Sequence, residues 1–136
     1  MKLDVYINYN GTCEQAFSFY EQHLGGKIIM ITRHGDNPAP NSNIAKDWHD
    51  KILHAQIEIG ATTLMGADIP NAEPMRSAYL TITVTEEAEA ERLYKVLSDG
   101  GEIFMKMEKA AWANRFAMLR DKFGTSWMLL QRPMEP

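Results

Sequence analysis

His54, Gln56 and Glu58 stand at alternate positions of the segment 52–59, with Leu53, Ala55, Ile57 and Ile59 at the remaining ones. Such alternation marks a half-buried β-strand, because successive side chains of a strand point to opposite faces. An imidazole and a carboxylate on one polar face are the material of general acid–base catalysis, since histidine titrates at about pH 6.5 and a carboxylate in a dry site can serve as base. His54 and Glu58 are therefore the candidate catalytic residues. The competing structural reading makes His54 part of a hydrogen-bonded cluster with Gln56 or Tyr6, and puts Glu58 at a solvated strand end. Shared ligation of one metal by His54 and Glu58 is excluded by distance. Four residues of strand span on the order of 13 Å, whereas ligand atoms lie about 2.0–2.2 Å from a metal. His54 and Gln56 are closer, at roughly 7 Å along the strand, but a glutamine amide is a poor transition-metal ligand. Asp47 and His49, in a different segment, could reach inward as replacements.

Cys13 is the single cysteine, so no disulfide or thiolate cluster can form within the chain. It opens a helical pattern, a place where thiol acidity can rise. No base accompanies it as a nucleophile would need, and it reads as a small buried residue.

These side chains need elements to hold them. Residues 3–9 alternate as a strand, with Tyr6 and Asn8 on the polar side. Asn10-Gly11-Thr12 breaks the strand, and Asn10 or Thr12 can cap a helix. Ala16, Phe17, Tyr20 and Leu24 follow at helical spacing, Gly25-Gly26 ends the helix, and residues 27–32 form a second strand. Residues 34–50 are rich in turn formers. They suit a mobile binding loop or a tolerated surface insertion, with one helical turn at 44–50. Residues 52–59 and 62–67 make a hairpin, and 68–74 reads as a linker. The order then repeats: a strand at 78–83, a helix capped by Thr85 and closed by Gly100-Gly101, a strand at 102–107, and a hairpin of 115–120 with 126–131. Asp121-Lys122-Phe123-Gly124 between them reads as a turn with glycine at positive φ. Tyr6…Gly25-Gly26-Lys27-Ile28 aligns with Tyr79…Gly100-Gly101-Glu102-Ile103, which indicates a duplicated strand–helix–three-strand unit. The alternative is chance similarity of two amphipathic helices.

The chain has 136 residues, a formal net charge of −4 and no long basic run. That length suits one domain, 1–136, with modules at 1–68 and 75–132. An acidic balance disfavours nucleic acid. No apolar run is long enough for a signal peptide or a membrane span. A lone thiol fits a reducing compartment, so a cytoplasmic location away from membranes is expected.

Tyr6 through Ala16 followed by Phe19-Tyr20 and Leu24-Gly25-Gly26, then Ile52-Leu53-His54-Ala55 with residues 64–68, and finally residues 112–116 with Asp121-Lys122-Phe123-Gly124 and Trp127, carry a resemblance that spans nearly the whole chain. They resemble PhnB-like members of the vicinal oxygen chelate (glyoxalase/bleomycin-resistance/dioxygenase) superfamily. The resemblance implies an α+β fold of two βαβββ modules forming a curved sheet around a cleft. By strand phase, the first module would turn Tyr6, Asn8, His54, Gln56, Glu58, Thr63 and Met65 toward that cleft. The second would offer Tyr79, Thr81, Phe116, Trp127, Leu129 and Gln131. Met65 and Leu129 are read as filling the sheet. Trp112 and Arg115 could add an aromatic and cationic wall; core packing is the competing role for Trp112, as for Trp127.

Metal-dependent members place His and Glu or Asp side chains on the cleft face. Here Tyr6, Asn8, Met65, Tyr79, Thr81 and Leu129 stand near those positions, so no metal ligands are assigned and no cofactor is expected. A divalent metal would need an atypical site. Two readings follow. One is a metal-free small-molecule binding protein; the other is a metal-dependent lyase, isomerase or dioxygenase-like enzyme. The resemblance also implies a homodimer, with exchange of modules about residues 68–74 as one way to form it.

Overall fold

The computed structural model describes residues 1–36 and 46–133. The part of the 34–50 segment that falls at 37–45 lies outside them. Eight strands and two helices follow in the order β1 (Val5–Tyr9), α1 (Cys13–His23), β2 (Lys27–Arg33), β3 (Ile52–Ile59), β4 (Thr62–Asp68), β5 (Leu80–Val84), α2 (Glu87–Ser98), β6 (Glu102–Ala110), β7 (Ala113–Arg120) and β8 (Ser126–Gln131). The chain divides after Glu73 into two compact units. Each is a βαβββ module with its own four-stranded sheet, in the order β1-β4-β3-β2 in the first and β5-β8-β7-β6 in the second. The first strand of each module pairs parallel with the last, and the other pairings are antiparallel. Among the described residues no helix is long and apolar enough to cross a membrane.

Local patterning accounts for most elements. In β1, Ile7 and Tyr9 are buried while Tyr6 and Asn8 are exposed, as period two requires. In α1, Cys13, Ala16, Phe17 and Tyr20 are buried, a stripe at i, i+3, i+4 and i+7 that packs on the sheet. Ala90, Leu93 and Leu97 do the same for α2. Gly25 and Gly100 take φ of 68° and 74° just past the helices, a conformation open to glycine without steric cost.

The duplication extends to the irregularities. The β2–β3 register slips between Ile28 and Met30, and the β6–β7 register slips between Ile103 and Met105. Both bulges lie three residues past Gly25 and Gly100. Both bulged edge strands leave large apolar side chains exposed, Ile29, Met30 and Ile31 on β2 and Ile103, Phe104 and Met105 on β6. The registers also correct one alignment. Tyr6 pairs with Met65, and Thr81 pairs with Met128 at the matching place. The counterpart of Tyr6 is therefore Thr81, whereas Tyr79 precedes β5.

Neither expected helix cap makes its bond. Thr12 gives α1 no side-chain hydrogen bond, and α2 is preceded by Glu86, also without one. At α1 the work falls to Asp68. This residue was expected in a linker but ends β4, only 1% exposed. Its Oδ1 accepts the Cys13 N–H at 2.9 Å and its Oδ2 the Ile52 N–H at 2.8 Å. A carboxylate at a helix N-terminus meets unpaired N–H donors and the positive end of the dipole. Its carbonyl oxygen is bonded by Nε2 of buried His34 at 2.9 Å. Short 3-10 turns form at His34–Asp36 and Lys46–Trp48, and the first is tied to the residues that follow the second by the bonds His34 N–H to Lys51 O and Gly35 N–H to His49 O.

Candidate functional site

In the first module, Tyr6 pairs with Met65, Met65 with Gln56, and Gln56 with Met30. Paired residues share a sheet face, so these four form a row on the face turned away from α1. His54, two residues before Gln56, lies on the same face. Ala55 pairs with Gly66, which sets His54 beside Ala67; this small residue leaves room for the Tyr6 phenol to cross β4. Tyr6 Oη lies 3.1 Å from His54 Nδ1, and the two rings stack at 5.6 Å with 27° between their planes. On the other side of the imidazole, Gln56 Nε2 lies 3.0 Å from His54 Nε2. Both ring nitrogens are thus engaged, in the polar cluster that the structural reading of His54 describes. Burial, with Cys13 adding to it, pushes the Tyr6 phenol above its ordinary range, so it keeps its proton at neutral pH. Glu58 is exposed, opposite Thr63 and Lys27 at the far end of the face and outside this cluster. Asn8 is exposed on the same face as Tyr6.

The second module has the same row with other residues: Thr81 pairs with Met128, Met128 with Met118, and Met118 with Met105. Phe116, two residues before Met118, takes the place that His54 has in the first module. It pairs with Leu130 where the first module has Ala67, and both are only 6% exposed, in a cluster with Ala113, Ala110, Met118 and Met128. The polar relay of one module is thus an apolar plug in the other. Trp112, 58% exposed, stands edge-on to Phe116 at 5.3 Å. Tyr79 meets Phe104 edge-on at 6.5 Å, and the Arg120 guanidinium lies 5.1 Å from the Phe104 centroid.

Trp127, Leu129 and Gln131 do not share that face. Gln131 pairs with Arg115, and Arg115 reaches α2 through Glu87 at 3.2 Å and Glu91 at 3.7 Å. The α2 side is therefore the side of Arg115, Gln131, Leu129 and Trp127. Trp127 is 3% exposed and donates its indole N–H to Asp121 Oδ2 at 2.9 Å. Asp121 Oδ1 accepts from the N–H groups of Phe123 and Thr125, which closes the expected turn, with Gly124 at φ 98°. The phase was illegible because β8 is buried on both faces, Met128 alone being half-buried. A strand covered on both sides has no hydrophobic alternation to read.

Cys13 is fully buried. Burial, then the carboxylates of Asp68 and Glu14, push its thiol far above the ordinary range, the reverse of an activated nucleophile. The folded state keeps this proton after the unfolded chain has released it. That contribution to stability is whole below about pH 8.5 and falls by about 1.4 kcal/mol per unit above it. Urea unfolding between about pH 8 and 10 is expected to show this alkaline slope, and C13A to flatten it. Coincident slopes for the two proteins would mean that the thiol is not shielded as described.

The profile of the Glyoxalase/Bleomycin resistance protein/Dioxygenase superfamily matches residues 2–129. The chain belongs to this superfamily. Protein PA1353 from Pseudomonas aeruginosa, a crystal structure, is 36% identical, with a TM-score of 0.86 over 98% of this chain and 99% of that one. A PhnB protein from Bacillus cereus has a TM-score of 0.82 at 24% identity, over 97% of this chain and 100% of that one, a likeness of fold. Protein YjdN of Escherichia coli (strain K12) is 27% identical over 138 residues, 95% of this chain and 94% of its own.

The superfamily resemblance implies a divalent metal, and the two faces can be tested for fit. The first carries a single imidazole with both nitrogens engaged, beside tyrosine, glutamine and methionine. The second carries threonine, methionine and phenylalanine. Glu58 on the first face stands four residues from His54, and exposed Glu108, opposite Phe116 on the second, has no histidine paired with it. Among the described residues neither face groups the histidine and carboxylate donors that hold such a cation, and these faces do not fit it. Asp47 and His49 are exposed on the turn after the undescribed segment. Among the described residues, no three His, Cys, Asp or Glu side chains are grouped closely enough to hold a metal. Sequence reasoning missed Met30, Met105, Met118 and Met128. The signal for two of them was present: Gly-Gly-x-Ile-x-Met occurs at 25–30 and again at 100–105.

Proposed function

We propose that this superfamily member binds a small molecule on the sheet faces that carry Tyr6, His54, Gln56 and the methionines, without the divalent metal of its metal-dependent relatives. The observation that carries the reading is the saturation of His54: with Tyr6 on one nitrogen and Gln56 on the other, the imidazole is a hydrogen-bonded fixture and not a ligand awaiting a cation. An aromatic and thioether surface with a few placed polar groups is the composition of small-molecule sites. Asn8 belongs to the face of the first module, while Tyr79 and Trp112 offer aromatic surface in the second, where Phe116 is buried. The protein also forms a homodimer in the cytoplasm and binds neither nucleic acid nor membrane. The exposed apolar edges β2 and β6, the net charge of −4 and the single cysteine support those parts.

The test is elemental analysis of the tag-free protein, followed by anaerobic titration with Zn2+, Ni2+, Mn2+ and Fe2+. The expected result is no stoichiometric metal, and the same trace content in H54A. Stoichiometric metal that H54A abolishes would overturn the reading and replace it with a metal-dependent lyase, isomerase or dioxygenase-like enzyme. Light scattering that finds a monomer at high concentration would remove the dimer.

A further inference from the structure

Resting on that binding reading, we propose that the Gln56–His54–Tyr6 relay fixes the Tyr6 hydroxyl as an outward hydrogen-bond donor, so that the first module selects neutral, planar carbonyl compounds. The direction of the relay follows from its first member. An amide N–H can only donate, so Gln56 Nε2 at 3.0 Å makes His54 Nε2 the acceptor. The neutral ring then carries its proton on Nδ1, which donates to Tyr6 Oη at 3.1 Å. With its oxygen accepting from His54, the phenol directs its own O–H to whatever lies on the face. Tyr6 is 48% exposed, and the phenol stays protonated, so this donor is within reach of a ligand and is retained at neutral pH.

The surroundings of the hydroxyl narrow the ligand further. The stacked rings of Tyr6 and His54 form a flat surface. Met65 and Met30 continue it along the row, and thioethers make favourable, adaptable contacts with aromatic rings. The nearest charged positions on this face, Lys27 and Glu58, stand opposite each other one row further on. Lys27 therefore has a carboxylate opposite it, which offsets what it could offer an anionic ligand. A flat, neutral, polarisable molecule with one acceptor oxygen matches each of these features.

Gln56 is a positioning residue in this scheme, and its counterpart Met118 supplies the substitution that tests it. In Q56M the donor to Nε2 is lost. The imidazole then takes its proton on Nε2, and Tyr6 turns its O–H into Nδ1 and away from the ligand.

The experiment uses the full chain and three probes: 6-propionyl-2-(dimethylamino)naphthalene, whose emission reports a hydrogen bond to its ketone, the parent 2-(dimethylamino)naphthalene, and anionic 2-naphthoate. Wild type is expected to bind the ketone about five- to tenfold more tightly than the parent arene, the worth of one hydrogen bond. It should bind naphthoate more weakly than either. Y6F and Q56M are expected to abolish the ketone preference, read as the ratio of ketone to arene affinity, together with the emission shift. M30S/M65S should weaken both neutral probes together, with thermal melts checking that each variant is folded. Nitrogen NMR of His54 should show the Nδ1–H tautomer in wild type and the Nε2–H tautomer in Q56M. The Nε2–H tautomer in wild type, an unchanged ketone preference in folded Y6F, or tighter naphthoate binding would each overturn the relay while leaving a small-molecule site standing. Absence of binding by all three probes would overturn the relay and count against the binding reading as well.

Discussion

Replacing Asp68 by alanine is expected to lower the unfolding free energy by about 3–5 kcal/mol. The carboxylate is buried and accepts two backbone N–H bonds from distant elements, the first residue of α1 and the first residue of β3. Hydrogen bonds to a charged group contribute about 1.5–3 kcal/mol each, and the alanine would leave both donors buried without a partner. The interaction of the carboxylate with the α1 dipole is lost too. Against a total stability of about 5–15 kcal/mol, the loss is large enough to leave D68A partly unfolded at 37 °C. D68N should fall between, because its one carbonyl oxygen can replace one acceptor while its NH2 group faces the other N–H. Urea unfolding followed by circular dichroism measures both variants. A change below about 1 kcal/mol in D68A would show that Asp68 does not hold α1 to the sheet.

The second large effect separates two positions that the duplication makes equivalent. A Cβ at Gly101 would overlap the carbonyl oxygen of Arg120 and approach the Cα and carbonyl carbon of Asp121 to 3.0 Å. Those atoms are backbone at the end of β7 and the start of its turn, and they cannot yield without disturbing the β6–β7 pairing. G101A is expected to cost 3 kcal/mol or more, about the upper end for overpacking, and to express poorly. At Gly26 the nearest atom to a new Cβ would be Ile57 Cδ1 at 2.9 Å, followed by Ile59 Cγ1 at 3.1 Å and Glu58 O at 3.2 Å. Two of these belong to side chains that can shift, so G26A should cost about 1 kcal/mol. Parallel unfolding curves decide the point. Equal losses in the two variants would mean that the modules tolerate crowding alike at this corner.

Much of the architecture was legible because it rests on local rules. The alternation in β1 and β3 set the faces of Tyr6, Asn8, His54 and Gln56 as found. Gly25-Gly26 and Gly100-Gly101 ended both helices where a left-handed residue was needed. Asp121-Lys122-Phe123-Gly124 formed its turn. Even the His54 cluster could be drawn up in advance, because Tyr6 and Gln56 were on the same polar face.

What remained hidden had non-local causes. The phase of β8 was lost because both of its faces are covered, so Trp127, Leu129 and Gln131 gave no sign that they turn toward α2. The caps were misassigned because the acceptor at α1 comes from the end of β4, 55 residues from the N–H it holds; propensity at Thr12 could not compete with a buried charge. The difference between the two faces was equally invisible, since His54 beside Ala67 and Phe116 opposite Leu130 acquire their meaning from cross-strand registers. Residue type and period determined which elements form and which side of most strands is polar. Only the tertiary structure decided which polar atoms meet, because a hydrogen bond depends on register and distance between strands, and those are set by the packing of the whole sheet.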